Sequence, residues 1–198
     1  MTDYQAINGV RDSMNDRRME ILDAAEALVR ERGAGHLTLD AVAARVGYSK
    51  GGLIHRFPNK VALIEAMIDR VIDEVDSEHR ALRAETDGRA NADLLAVIER
   101  ERRMPEADAD LRRGLLVAAA EQPDLLARPR AYIAERFRAV REQADDPVWA
   151  TLLLFAAEAP GLFELMGLYE LPADERRALF DRLAALAAGN ADDEEAEA

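Results

Sequence analysis

Cysteine is absent from this 198-residue chain, which excludes disulfides, thiolate catalysis and thiol-based redox sensing. Serine is scarce, with Ser13, Ser49 and Ser77 the only three, and the histidines are His36, His55 and His79. Neither set offers the nucleophile and base of a hydrolase. Asp76 and His79 stand three apart, a spacing that two metal ligands can share, but a lone pair is ordinarily surface, so no metal is expected. No glycine loop of the phosphate-cradling kind is present, and no cofactor is expected. The chain therefore does not read as an enzyme. No apolar run reaches the roughly 18 residues of a membrane span, and the N-terminus is polar rather than signal-like, so a cytoplasmic protein without membrane contact is expected.

Sparse β-branched residues, against abundant Ala, Leu, Arg and Glu, give an all-α composition. Nearly half the residues are apolar, at 49%, enough for a sizeable core. The length suits one small domain plus one larger helical domain. The formal charge of −13 is unevenly spread: residues 11–60 carry a net +2, residues 61–198 a net −14. An acidic body repels a polyanion from every face except the basic one, which limits non-specific binding.

The basic segment holds the most informative stretch, Thr38 to Leu63. Leu39, Val42, Ala43 and Val46 fall on one face at helical spacing. Thr38 precedes them where a hydroxyl accepts from an unpaired backbone N–H. Gly47 follows where a helix end favours the left-handed conformation. Ser49 caps a second helix with Leu53 and Phe57 turned inward, Pro58 ends it, and Asn59 caps the next. Two short helices joined by a tight turn form a helix-turn-helix, the unit that lays one helix in a DNA major groove.

The outward residues of that second helix agree. Lys50, Gly51 and Gly52 open it with one cation and almost no bulk. Each glycine costs roughly 1 kcal/mol relative to alanine inside a helix, so close approach to another surface is the expected reason. His55, Arg56 and Lys60 add donors on the same side.

The segment Ser49-Lys50-Gly51-Gly52-Leu53-Ile54-His55-Arg56-Phe57-Pro58-Asn59-Lys60, followed by Leu63, resembles the N-terminal domain of the TetR family of bacterial transcriptional repressors. Residues 152–183 resemble the last two helices of its multidrug-sensing subgroup. The resemblance implies base reading by Lys50, Gly51 and Gly52, with Ile54 and Arg56 nearby, and phosphate contacts from Thr38, His55 and Lys60. Two positions depart from the family pattern. Ile54 replaces the common tyrosine and can touch only a thymine methyl, while Arg56 replaces the common histidine and suits either guanine or a phosphate.

Around this unit, residues 1–15 show little periodicity and read as a flexible arm. Residues 16–60 form the helix-turn-helix domain, its first helix from about Asp16 to Arg32 presenting Leu22, Ala25, Leu28 and Val29. Residues 61–190 form the helical ligand-binding and dimerisation domain, opened by a long helix from about Lys60 to Ala84. The tail at 191–198 is acidic and low in complexity. Helices are expected near 91–103, 108–121, 123–143, 147–166 and 172–188. The helix near 147–166 is apolar nearly all round, so it needs cover on two sides, most simply by a second subunit. Paired with the helix near 172–188, it would build a four-helix homodimer interface, as the resemblance also implies.

A ligand site is sought in the same domain. Glu158 lies in an apolar stretch, where a buried carboxylate needs an arginine or a cationic ligand as partner, unless it sits exposed at the helix rim. With Met67, Met104, Tyr132, Phe137 and Trp149 as walls, the site would suit a flat lipophilic cation through apolar burial and cation–π contact. Arg112 and Arg113, or Arg128 and Arg130, favour an anion instead. The sequence thus reads as an all-α, homodimeric repressor of a palindromic operator, released by a small lipophilic ligand that a carboxylate such as Glu158 would allow to be cationic. The alternatives are a helical sensor that docks a protein partner, and a ligand-independent regulator or activator.

Overall fold

The computed structural model describes residues 2–103 and 109–189. Among them every regular element is helical: α1 (Thr2–Arg32), α2 (Leu39–Val46), α3 (Lys50–Ile54), α4 (Lys60–Glu85), α5 (Ala92–Arg103), α6 (Ala109–Glu121), α7 (Ala127–Gln143), α8 (Pro147–Leu165) and α9 (Ala173–Ala187). Short 3-10 turns at Ala34–His36 and Pro123–Leu126 precede α2 and α7. The acidic tail expected at 191–198 lies outside the described residues, as does Met104. The helix expected to begin near Asp16 begins instead at Thr2, so the stretch read as an arm continues α1. It contains no proline, and lengthening an existing helix avoids the cost of nucleating a new one.

The chain divides into two compact units, one of residues 1–70 with 110–126 and one of residues 71–109 with 127–198. The division falls inside α4, ten residues later than the expected boundary at 60/61, and it assigns α6 to the first unit.

The first unit, the head, is fixed by caps that lie within a few residues of what they bind. Thr38 Oγ1 accepts from the Ala41 N–H at 3.1 Å and Ser49 Oγ from Gly52 N–H at 3.2 Å. Asn59 Oδ1 accepts from Ala62 N–H at 2.8 Å. Gly47 takes φ 72°, a left-handed cap that a side chain would strain. Beneath these caps Ile21, Leu22, Ala25, Leu28, Val29, Leu37, Val42, Ala43, Leu53, Phe57, Leu63, Ile64 and Met67 are buried. Arg18 lays its guanidinium over the Phe57 ring, 5.0 Å from the centroid, so it packs on the core. Helix α6 adds Leu111, Leu115, Ala118 and Ala119 to the buried set, and Gly114 lies against Val29.

The second unit, the body, packs α7, α8 and α9 around α5. Residues Ala92 to Ile98 of α5 are buried without a break. Within one subunit the helix sheathed on all sides is therefore α5. Its neighbours supply Val140, Ala150, Leu153, Leu154, Ala157, Phe180, Leu183 and Ala187. Asp146 caps α8 by accepting from Val148 and Trp149 N–H at 2.9 and 3.0 Å. Asn91, in a left-handed conformation at φ 54°, donates to the Ala187 carbonyl at 2.9 Å and ties the start of α5 to the end of α9.

By length and composition alone, α8 would span a bilayer, contrary to the expectation that no segment does. The same apolarity has another source here, since one face of α8 is packed into the body and Glu158 on it is ion-paired. Its other face leaves Val148, Leu152 and Phe155 at 72, 56 and 59% exposure, with Trp149, Leu162, Phe163 and Met166 also exposed.

Candidate nucleic-acid interface

Helices α2 and α3 meet across Gly47–Ser49 and leave a small polar surface. Lys50, Gly51, Gly52, Ile54 and His55 are exposed on it, with Thr38 at the start of α2. Gly51 is the informative member. A Cβ built there meets nothing within 4 Å, so packing inside the head does not call for a glycine. The backbone of α3 is bare toward the outside, where a flat partner can reach it. At Gly52 a Cβ would come 3.3 Å from Ser49 Oγ, which ties that glycine partly to the cap.

The polar residues at this surface have definite partners. Lys50 Nζ donates to Asp40 Oδ2 at 3.0 Å. Arg45 forks onto Glu31 at 2.8 and 2.6 Å, and that paired guanidinium holds the Glu31 carboxyl below its ordinary value. Tyr48 donates to Glu20, and the accepting carboxylate pushes the phenol up from its usual value. Lys60, expected on a phosphate, is half-buried and donates to the Ala34 carbonyl at 3.0 Å. It clamps the start of α4 to the turn after α1. Arg56 is half-buried beside Tyr48. Thr38 spends an oxygen lone pair on its cap and keeps its O–H to donate.

Asp40, Arg45 and Tyr48 escaped the sequence reading. Asp40 and Arg45 sit among outward positions of α2, where nothing in the spacing marks one polar residue above another. Their roles emerge only when α3 and α1 are brought alongside.

The residues expected to hold a ligand are dispersed. Met67 is fully buried in the head, filled in by its own core. Tyr132, Phe137, Trp149 and Glu158 belong to the body. Phe137 meets Phe155 edge to face with centroids 5.0 Å apart, so α7 and α8 share an aromatic contact. Arg136 covers the Tyr132 ring at 5.2 Å. Glu158 takes the arginine-paired, partly exposed alternative that its sequence position left open. Its side chain is 41% exposed, with Arg100 Nη2 3.7 Å away, so of the two partners considered for it the arginine is present.

A separate polar cluster lies deeper in the body. His79 is 2% exposed and its Nε2 lies 3.1 Å from Asp93 Oδ1. Arg83 donates to the other Asp93 oxygen at 3.2 Å, and Arg136 reaches Asp76 at 3.0 Å. Burial is the main cause holding the His79 imidazole below its ordinary value, partly offset by the Asp93 hydrogen bond and reinforced by the positive charges of Arg136 and Arg100. Among the described residues no group of three or more carboxylate or imidazole side chains is placed to hold a metal ion.

Comparison with known proteins bears on both units. Residues 21–67 match the family model of bacterial regulatory proteins, tetR family. Residues 89–188, about half of the chain, match the model described as Tetracyclin repressor-like, C-terminal domain. The HTH-type transcriptional regulator EthR of Mycobacterium tuberculosis is 33% identical over 66 residues, covering 33% of this chain and 31% of that protein. The HTH-type transcriptional repressor KstR2 of Rhodococcus jostii is 30% identical over 86 residues, covering 43% and 42%. The chain thus matches less than half the length of these curated relatives. The crystal structure of the multidrug binding protein EbrR, complexed with imidazole, superposes with a TM-score of 0.62 at 24% identity over 85% of this chain and 89% of that one. At that identity the likeness is one of fold.

Proposed function

This chain belongs to the TetR family of bacterial regulatory proteins, and on that premise we propose that it is a homodimeric transcriptional repressor that binds a palindromic operator. Each subunit lays α3 in a major groove, with half-sites about one helical turn or a multiple of it apart. The observation that carries this reading is the α2–turn–α3 surface. Three side-chain caps and a left-handed glycine hold it rigid, and Gly51 leaves bare backbone where no packing needs it. Lys50, Gly51 and Gly52 face base edges, Ile54 suits a thymine methyl, and Thr38, His55 and Arg56 suit phosphates or base edges. Lys60 contributes by holding the turn after α1 against the start of α4.

The exposed apolar stripe of α8 supports the dimer. Six large exposed apolar side chains on α8, with Met166 at its C-cap, exceed what scattered surface residues produce, and a second copy of the same stripe is its simplest cover. Leu183 of α9 is buried in its own body and Leu179 and Leu186 are half-buried, so α8 presents most of the apolar surface.

The inducer is a small lipophilic molecule held in the body. Since Arg100 already faces Glu158, a cationic ligand would have to compete for that carboxylate, which favours a ligand without positive charge. Ligand and operator are linked through α4, which contributes residues to both units. A coupling of roughly 1–3 kcal/mol is the usual scale and weakens DNA binding about 5- to 150-fold.

Fluorescence anisotropy tests the reading. The purified protein is titrated onto labelled DNA from just upstream of its own gene, with excess unlabelled random DNA present. Saturable binding at nanomolar protein that survives the competitor supports it. Failure there, repeated in a selection from genomic fragments, refutes it in favour of a head that docks a protein partner.

A further inference from the structure

The ion pair between Asp40 and Lys50 has no structural task in proportion to its position. Both side chains are well exposed, at 68 and 62%, and an exposed pair of this kind contributes little to stability. Yet it joins the first turn of α2 to the first residue of α3, on the surface proposed to meet DNA. A carboxylate there repels phosphate and weakens any non-specific hold that Lys50 would otherwise have. Its favourable partners in the groove are amino groups on base edges.

We propose that Asp40 is a specificity-determining residue, and that Asp40 and Lys50 together read one G·C pair in each half-site. The inference rests on the DNA-binding reading above. Lys50 takes the acceptors of guanine, O6 and N7, while Asp40 accepts from the cytosine N4 amino group. The spacing fits. Guanine O6 and cytosine N4 are themselves hydrogen-bonded and so lie about 3 Å apart on the groove edge, and Lys50 Nζ and Asp40 Oδ2 are separated by 3.0 Å. A donor and an acceptor at that separation can engage an acceptor and a donor at the same separation without opening the base pair. A T·A pair offers the same order through thymine O4 and adenine N6, but it lacks the second acceptor, N7, beside O4 that Lys50 uses on guanine. In that arrangement the intramolecular ion pair keeps the two groups in register before DNA arrives.

The test is binding-site selection from a randomised duplex library with the full-length protein, its Asp40→Ala variant and its Asp40→Asn variant, each first checked for unchanged helicity. The wild type is expected to enrich G·C at one position of each half-site. Asp40→Ala should bind random DNA more tightly and lose roughly 5- to 100-fold of the preference at that position alone. Asp40→Asn should move the preference toward T·A, with adenine in place of the cytosine, because an amide presents the donor and acceptor that match adenine N6 and N7. If both variants select the wild-type site and change affinity uniformly, Asp40 is only a surface partner of Lys50 and the proposal falls. If the wild type itself enriches no site, the DNA-binding reading fails first, and this inference with it.

Discussion

Replacing Gly114 by alanine should destabilise the head, although alanine is ordinarily the better helix former by about 1 kcal/mol. Gly114 lies in α6 where that helix crosses α1, and a Cβ added there falls well inside van der Waals contact with Val29 Cγ1. Val29 has little freedom to withdraw. It is 2% exposed, and a β-branched side chain in a helix has one strongly preferred rotamer. Overpacking of this kind costs about 1–3 kcal/mol, and so severe an overlap belongs at the upper end. The net expectation is a loss of about 2 kcal/mol. Shortening the obstacle should reverse the sign. Val29→Ala alone should cost about 2 kcal/mol through lost burial and a residual cavity. In that background Gly114→Ala should stabilise by up to about 1 kcal/mol, since the overlapping methyl is gone and only the helix preference remains. Urea unfolding of the four proteins, followed by circular dichroism, gives the cycle, with an expected coupling near 3 kcal/mol. A Gly114→Ala protein more stable than wild type, or a cycle without coupling, would refute the claim that α6 is seated on α1 through this glycine.

The remaining expectations concern the body. His79 is held below the 6.5 of a free imidazole, so between 6.5 and its lower folded value the unfolded chain binds more protons than the folded one. Stability must therefore fall as pH drops below about 6.5. The urea midpoint of wild type should decline between pH 7 and 5 more steeply than that of His79→Gln, and parallel curves would show that His79 is not the group responsible. On the surface of α8, Leu152→Glu should convert the proposed dimer to monomer without melting the helix, because Leu152 is 56% exposed. Sedimentation velocity reads the change, and an unaltered dimer would move the interface elsewhere.

The head was legible because its determinants are local. A cap acts on an N–H three residues away, and the turn glycine acts on its own φ, so Thr38, Gly47, Ser49 and Asn59 announce their roles in the sequence. Periodicity likewise marked Leu22, Ala25, Leu28 and Val29 as core. What stayed hidden depends on partners far along the chain. The apolar face of α6 declares that it is buried but not against what, and nothing in its own spacing shows that Gly114 comes to lie against Val29. Glu158 had many arginines to choose among, and only the packing of α5 beside α8 selects Arg100. The short run Ala92 to Ile98 carries less apolar bulk than α8 yet occupies the centre of the body. Its neighbours are fixed by topology, which a one-dimensional pattern does not encode.

The same dependence on distant partners changes how the basic segment 11–60 should be understood. A net +2 over residues 11–60 suggests open cations waiting for phosphate. In the fold, however, Lys50 is paired with Asp40, Arg45 with Glu31 and Arg30 with Glu26. DNA therefore offers such a cation a phosphate in exchange for a carboxylate, and the gain from that exchange is small in water. An arbitrary duplex provides little beyond it. A duplex whose base edges supply amino groups to the carboxylates and acceptors to the cations keeps both halves of a pair satisfied, so sequence, more than charge, decides where the head stays bound.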